Sequence, residues 1–142
     1  MKRINLQAKF ECFENQSTVV ISLDYTQAKD VCLLFILLNE KLIDNLELKL
    51  DNSSLYFQLT DEKFSVCRFY DSKSRIFKSL ISKDSLEYII HFLLKYYRDE
   101  IGEAEHIDID FENQNKELTT LIIKSKYYME YTNAEIQNLI DN

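Results

Sequence analysis

The sequence predicts a single α+β domain over residues 1–142, a mostly antiparallel sheet with helices packed on it, in the order β-β-α-β-β-β-α-β-β-α. Three observations point there. Short stretches alternate apolar and polar residues with period two, while two longer stretches switch to helical spacing. No repeat, linker or shift in composition divides the 142 residues. A chain of this length buries roughly two-thirds of its unfolded surface, so its core needs no disulfide or metal.

With no Pro and a single Gly, the breaks between elements are read from clusters of Asn, Asp and Ser. Ile4, Leu6, Ala8, Phe10 and Cys12 alternate with polar residues as one half-buried strand, and residues 18–24 form a second, the two making a hairpin. Val31, Leu34, Leu38 and Leu42 fall at helical spacing within residues 26–44. Leu33, Phe35, Ile36 and Leu37 make that helix apolar nearly all round, which predicts a central, covered position. Leu46, Leu48 and Leu50 alternate with Glu47 and Lys49. Leu55, Phe57 and Leu59 repeat the pattern, and residues 64–70 follow, so these three strands read as a locally paired meander. Residues 75–81 read as a short helical piece. A second clear helix spans residues 85–101, its start marked by Asp84 and Glu87 in a capping-box spacing and its end by Gly102. Residues 105–112 and 118–129 are strands. Thr132 and Glu135 open a C-terminal helix with Ile136, Leu139 and Ile140 facing inward.

The composition excludes several functions. One glycine leaves no phosphate-cradling loop, dinucleotide fingerprint or nucleophile elbow. The cysteines, Cys12, Cys32 and Cys67, are odd in number, widely spaced and set in apolar stretches. They read as buried free thiols of a reducing cytoplasm rather than a disulfide framework or zinc site. The opening MKRINLQAKF lacks the apolar run of a signal peptide. The longest apolar run, residues 31–38, is far short of the roughly 20 residues that span a bilayer. The expectation is a cytoplasmic protein with no membrane partner.

The charge has a location. The formal net charge is −7, and seven of the 24 acids fall within residues 99–112, a stretch without Lys or Arg. The other 17 acids balance the 17 Lys and Arg, so this stretch carries the whole net charge. Its second half alternates: Ile107, Ile109 and Phe111 share one parity, and His106, Asp108, Asp110 and Glu112 the other. In a strand, same-face residues stand about 6–7 Å apart, so one face joins a core and the other presents an acidic ladder. That ladder has three readings. It is a solvated face that resists edge association, a docking surface for a basic partner, or a metal site with His106 and Asp108 as ligands. The last finds little support, because the spacing lacks the glycine of an EF-hand loop and apolar residues interleave.

Chemistry finds little else. His91 sits four residues from both Glu87 and Lys95, a solvated charged row on a helix. No nucleophile and base can be paired by spacing, so no enzyme and no cofactor are expected. A net charge of −7 opposes a phosphate backbone, which speaks against nucleic acid as a partner. Adjacent tyrosines, Tyr96 with Tyr97 and Tyr127 with Tyr128, cannot both face the core, so one of each pair is available to an interface. The expected partner-binding set is Glu103, Glu105, Asp108, Asp110 and Glu112, with Tyr127 and Tyr128.

In size, acidity, abundance of Lys, Asn and Ile, and α+β order, the chain resembles the small acidic cytoplasmic immunity proteins of bacterial toxin systems. The resemblance implies a non-catalytic protein that binds and neutralises a cognate toxin, often a basic nuclease. The order from residue 26 to 140 is also similar to class I type III secretion chaperones, acidic homodimers that hold an effector segment. The hairpin of residues 4–24 has no place in that fold, and its usual glycines are missing. Both resemblances imply stoichiometric binding of another protein.

Overall fold

A computed structural model describes residues 2–6, 9–13, 18–50, 53–99, 106–113 and 117–125. Among them are nine strands and two helices. The strands are β1 (Lys2–Leu6), β2 (Lys9–Phe13), β3 (Thr18–Leu23), β4 (Asn45–Leu50), β5 (Ser53–Thr60), β6 (Val66–Asp71), β7 (Ile76–Ser82), β8 (His106–Glu112) and β9 (Leu118–Ser125). Helix α1 (Tyr25–Asn39) follows β3, and α2 (Lys83–Asp99) follows β7. The α+β class holds. The C-terminal helix expected from Thr132 onward, and the end of the strand expected to reach residue 129, lie outside the described residues.

The strands form one sheet in the order β1-β4-β5-β7-β6-β8-β9-β3-β2. It is mixed rather than mostly antiparallel. Pairs β1/β4, β5/β7, β6/β8 and β3/β9 are parallel, and β2/β3, β4/β5, β6/β7 and β8/β9 are antiparallel. The expected meander fails because the piece at residues 75–81, read as helical, lies almost wholly in β7 (Ile76–Ser82), which inserts between β5 and β6. Ile76, Phe77, Leu80 and Ile81 mimic helical spacing. In the strand, Phe77, Ser79 and Ile81 point inward, and the polar Ser79 hides the alternation while its hydroxyl bonds to the Tyr56 carbonyl at 3.1 Å.

The expected strand of residues 4–12 is two strands with different partners. β1 pairs with β4 at one end of the strand order, and β2 pairs with β3 at the other. A flat sheet of nine strands would be about 40 Å wide at ~4.8 Å per strand. Leu6 and Lys9 are three residues apart, a reach of about 11 Å. The sheet must therefore curl enough to bring its two edge strands near each other at Leu6 and Lys9. The weak point of the curl lies opposite. β6 and β8 meet at one pair, Val66 and Glu112, where the Glu112 amide donates to the Ser65 carbonyl at 3.1 Å.

The helix ends show why boundaries shifted. α1 is capped by Asp24, whose side chain accepts from the Gln27 amide at 2.8 Å, while the Gln27 side chain accepts from the Asp24 amide. It ends at Asn39, not at residue 44. The Leu42 amide donates to Leu37 and the Lys41 amide to Leu38, a Schellman stop in which Lys41, at φ 62°, takes the left-handed position glycine usually fills. α2 starts at Lys83, two residues before the expected start, and its cap is Ser82, whose hydroxyl accepts from the Ser85 amide at 3.2 Å. Asp84 lies inside the first turn, where its charge favours the helix N-terminus.

One buried cluster joins both helices to the inward faces of β3 to β9. An aromatic chain runs through it, from Phe35 of α1 to Phe57, Phe77 and Phe111, with ring centroids 5.3, 6.1 and 5.1 Å apart. Its last step crosses from β7 to β8. Glu47, expected to face away with Lys49, lies on the sheet face opposite Leu46 and Leu48 and is buried, its register partners being Arg3 of β1 and Tyr56 of β5. Of the pair Tyr96 and Tyr97, the first is buried and the second exposed. The Tyr96 hydroxyl donates to the Leu23 carbonyl at 2.9 Å and accepts from the Ser125 hydroxyl at 3.1 Å. Leu23 and Ser125 are register partners, so one phenol ties α2 to the ends of β3 and β9.

Replacing Tyr96 with Phe keeps the ring and strands a buried carbonyl without its donor, an expected loss of about 1–3 kcal/mol in urea unfolding. Tyr97→Phe, exposed and outside this network, is expected to change stability by less than about 0.5 kcal/mol.

Candidate acidic docking surface

The acidic ladder forms as the alternation predicts. Along β8, Ile107, Ile109 and Phe111 are buried, and His106, Asp108, Asp110 and Glu112 are exposed. The strand alternates because its apolar side closes the core against α2 and the Phe77 ring, leaving the other parity on the solvent side. His106 Nε2 lies 3.6 Å from Asp108 Oδ1. The Thr120 hydroxyl donates to Asp110 Oδ1 at 2.8 Å, fixing that carboxylate from the neighbouring strand. The remaining acids of the expected set, Glu103 and Glu105, and the tyrosines Tyr127 and Tyr128 lie outside the described residues. Among the described residues no three His, Cys, Asp or Glu side chains gather as a metal set would.

The ladder ends beside exposed apolar side chains that the sequence reading did not single out. Leu118 of β9 is the register partner of Glu112 and is 56% exposed. Phe64 is 66% exposed and precedes Ser65, whose carbonyl holds the Glu112 amide. Phe64 was expected inside a strand, but β6 begins only at Val66, which leaves Phe64 in the turn with the Lys63 ammonium 5.6 Å from its ring. The available signal was the adjoining Asp61-Glu62-Lys63 run, which places Phe64 next to a charged turn. The surface therefore combines three carboxylates in a row with an apolar end.

The thiols belong to the core rather than to this surface. Cys32 and Cys67 are both buried and free. Burial pushes the Cys32 thiol up to about 11, and it also raises Cys67, against the lowering effect of the Thr119 side chain. Such groups are neutral packing atoms rather than nucleophiles. Three hydroxyls, Ser65, Ser82 and Ser85, bond to one another at 3.1–3.2 Å at the start of α2 with no base among them. Asp71, the last residue of β6, is held below the usual carboxylate range by the Ser74 hydroxyl and the Lys73 amide.

A thiol whose native pKa is raised stabilises the fold below its unfolded value of 9.0 and loses that contribution as pH rises toward about 11. The urea midpoint is therefore expected to fall across that window, and to fall less in Cys32→Ala, whose own midpoint at neutral pH is lower.

Comparison of the chain with family models, with curated proteins and with solved structures finds no match.

Proposed function

We propose that this chain is a non-enzymatic, cytoplasmic bacterial protein that binds another protein, and that it serves as an immunity protein neutralising a cognate basic toxin. The observation that carries this reading is the outward face of β8, where Asp108, Asp110 and Glu112 stand exposed in a row. Carboxylates fixed on a strand keep their spacing and need no reordering when a partner's Lys or Arg arrives, which lowers the entropic cost of association. The charge also accelerates encounter at low salt. Phe64 and Leu118 supply apolar area at one end, so the surface offers one ring and one aliphatic side chain beside its charges. If the toxin is a nuclease, the ladder occupies the place of its substrate's phosphates. Among the described residues no helix is long and apolar enough to cross a membrane, in keeping with this role.

The chaperone-like alternative fits less well. β1 and β2 are paired into the sheet at both ends of its order, and that fold has no place for them.

The partner to test is the product of the open reading frame immediately upstream. Asp108→Lys with Asp110→Lys is expected to weaken that complex by more than about tenfold, since like charges across an interface cost several kcal/mol. It is also expected to flatten the dependence of affinity on salt. Unchanged affinity in a folded double variant overturns the docking surface.

A further inference from the structure

The outward face of the sheet carries opposite charges on the two sides of one register row. That row crosses five strands, from Gln58 through Leu80, Val66 and Glu112 to Leu118. Register partners share a face, so Leu80, Val66 and Leu118 make an apolar line along it. Leu118 is exposed, and Leu80 and Val66 are half-buried. Two residues further along β7, Lys78 stands between its register partners Tyr56 and Phe69, its ammonium 5.3 Å from the Tyr56 ring. The β6/β7 register slips at Arg68, which leaves Arg68 and Phe69 both exposed beside Lys78. Among the described residues, neither Arg68 nor Lys78 has a carboxylate within ion-pair distance. On the other side of the row, two residues back along β8, stands Asp110, with Asp108 beyond it.

We propose that this face binds a second copy of the chain, in a two-fold dimer whose axis lies in the interface along the apolar row. Rotation about that row exchanges its two sides. Arg68 and Lys78 of each copy then come over Asp110 and Asp108 of the other, and the contact is made twice. Leu80, Val66 and Leu118 pack against their counterparts between the charges. Glu112 lies on the row, with an Arg68 guanidinium to either side. Charge complementarity selects this occupant. Two residues on each side of the row put the opposite charges about 13 Å apart along the strands, beyond the reach of an ion pair within one chain. A partner of one sign satisfies half of the face, and a second copy satisfies both halves. The dimer covers Asp108 and Asp110, so it excludes the basic partner proposed above, and neither proposal rests on the other.

The test is sedimentation of the full chain alone, over a series of concentrations. A reversible monomer–dimer equilibrium is expected at low salt, weakened about tenfold or more at about 1 M salt, where the Debye length is about 3 Å. Arg68→Glu with Lys78→Glu makes both sides of the row acidic, and Asp108→Lys with Asp110→Lys makes both basic. Each double variant alone is expected to dimerise at least about tenfold more weakly, because like charges then face each other. An equimolar mixture of the two is expected to recover a dimer holding one copy of each, since every charged contact again pairs opposite signs. All four positions are exposed, and misfolding in either variant would not be repaired by mixing. A chain that stays monomeric at low salt, a dimer that neither variant weakens, or a mixture that does not associate overturns the proposal. Growth beyond the dimer also overturns it, because a head-to-tail contact then replaces the two-fold one.

Discussion

The contact between Phe77 and Phe111 carries more of this fold than any hydrogen bond, because it crosses the place where the sheet nearly divides. β6 and β8 share a single residue pair, so the ladder of backbone bonds that normally holds neighbouring strands is almost missing there. Edge-on rings 5.1 Å apart replace it, and Phe57 and Phe35 extend the contact to α1. The Tyr96 phenol performs the matching task at the other end, binding β3 and β9 to α2 through hydroxyl and carbonyl. Fully burying one such ring contributes about 1.5–3 kcal/mol, against the net 0.5–1.5 kcal/mol of a backbone hydrogen bond. Side-chain packing can therefore hold a seam that backbone pairing leaves open.

Those energetics also explain which parts of the fold are readable from residue order. Wherever one face of a strand meets the core and the other meets water, alternation marks the element, and β8, expected over residues 105–112, shows the expected parity from His106 to Glu112. β7 is not, because Ser79 stands inward in place of an apolar residue and bonds to the carbonyl of Tyr56. The end of α1 is hidden for a conformational reason. Lys41 adopts a backbone that glycine usually marks, at an intrinsic cost of about 1–2 kcal/mol, and the two amide bonds of the Schellman stop offset it. Pairing partners are the least legible feature. Residues 4–12 alternate as one strand, yet β1 bonds to β4 and β2 to β3, a choice of partner that local pattern does not carry.

The candidate site was legible in its charge and illegible in its apolar part. The positions of Asp108, Asp110 and Glu112 follow from parity alone. The exposure of Leu118 and Phe64 does not, since an apolar residue at the end of a strand reads as core until register is known. Leu118 is set outward because it pairs with Glu112, and antiparallel partners share a face.

Rigidity and charge meet on β8. Two carboxylates about 6.5 Å apart repel by roughly 0.6 kcal/mol in water, and salt with a Debye length of about 8 Å screens part of that. A free segment would relax the repulsion by spreading. β8 does not have that freedom, because Ile107, Ile109 and Phe111 are fixed by the core and Asp110 by Thr120. The repulsion stays in the unbound surface and is relieved when cations arrive. The inward residues of this strand thus do two jobs with one set of contacts: they close the seam that β6 leaves open, and they hold the outward acids at a fixed spacing.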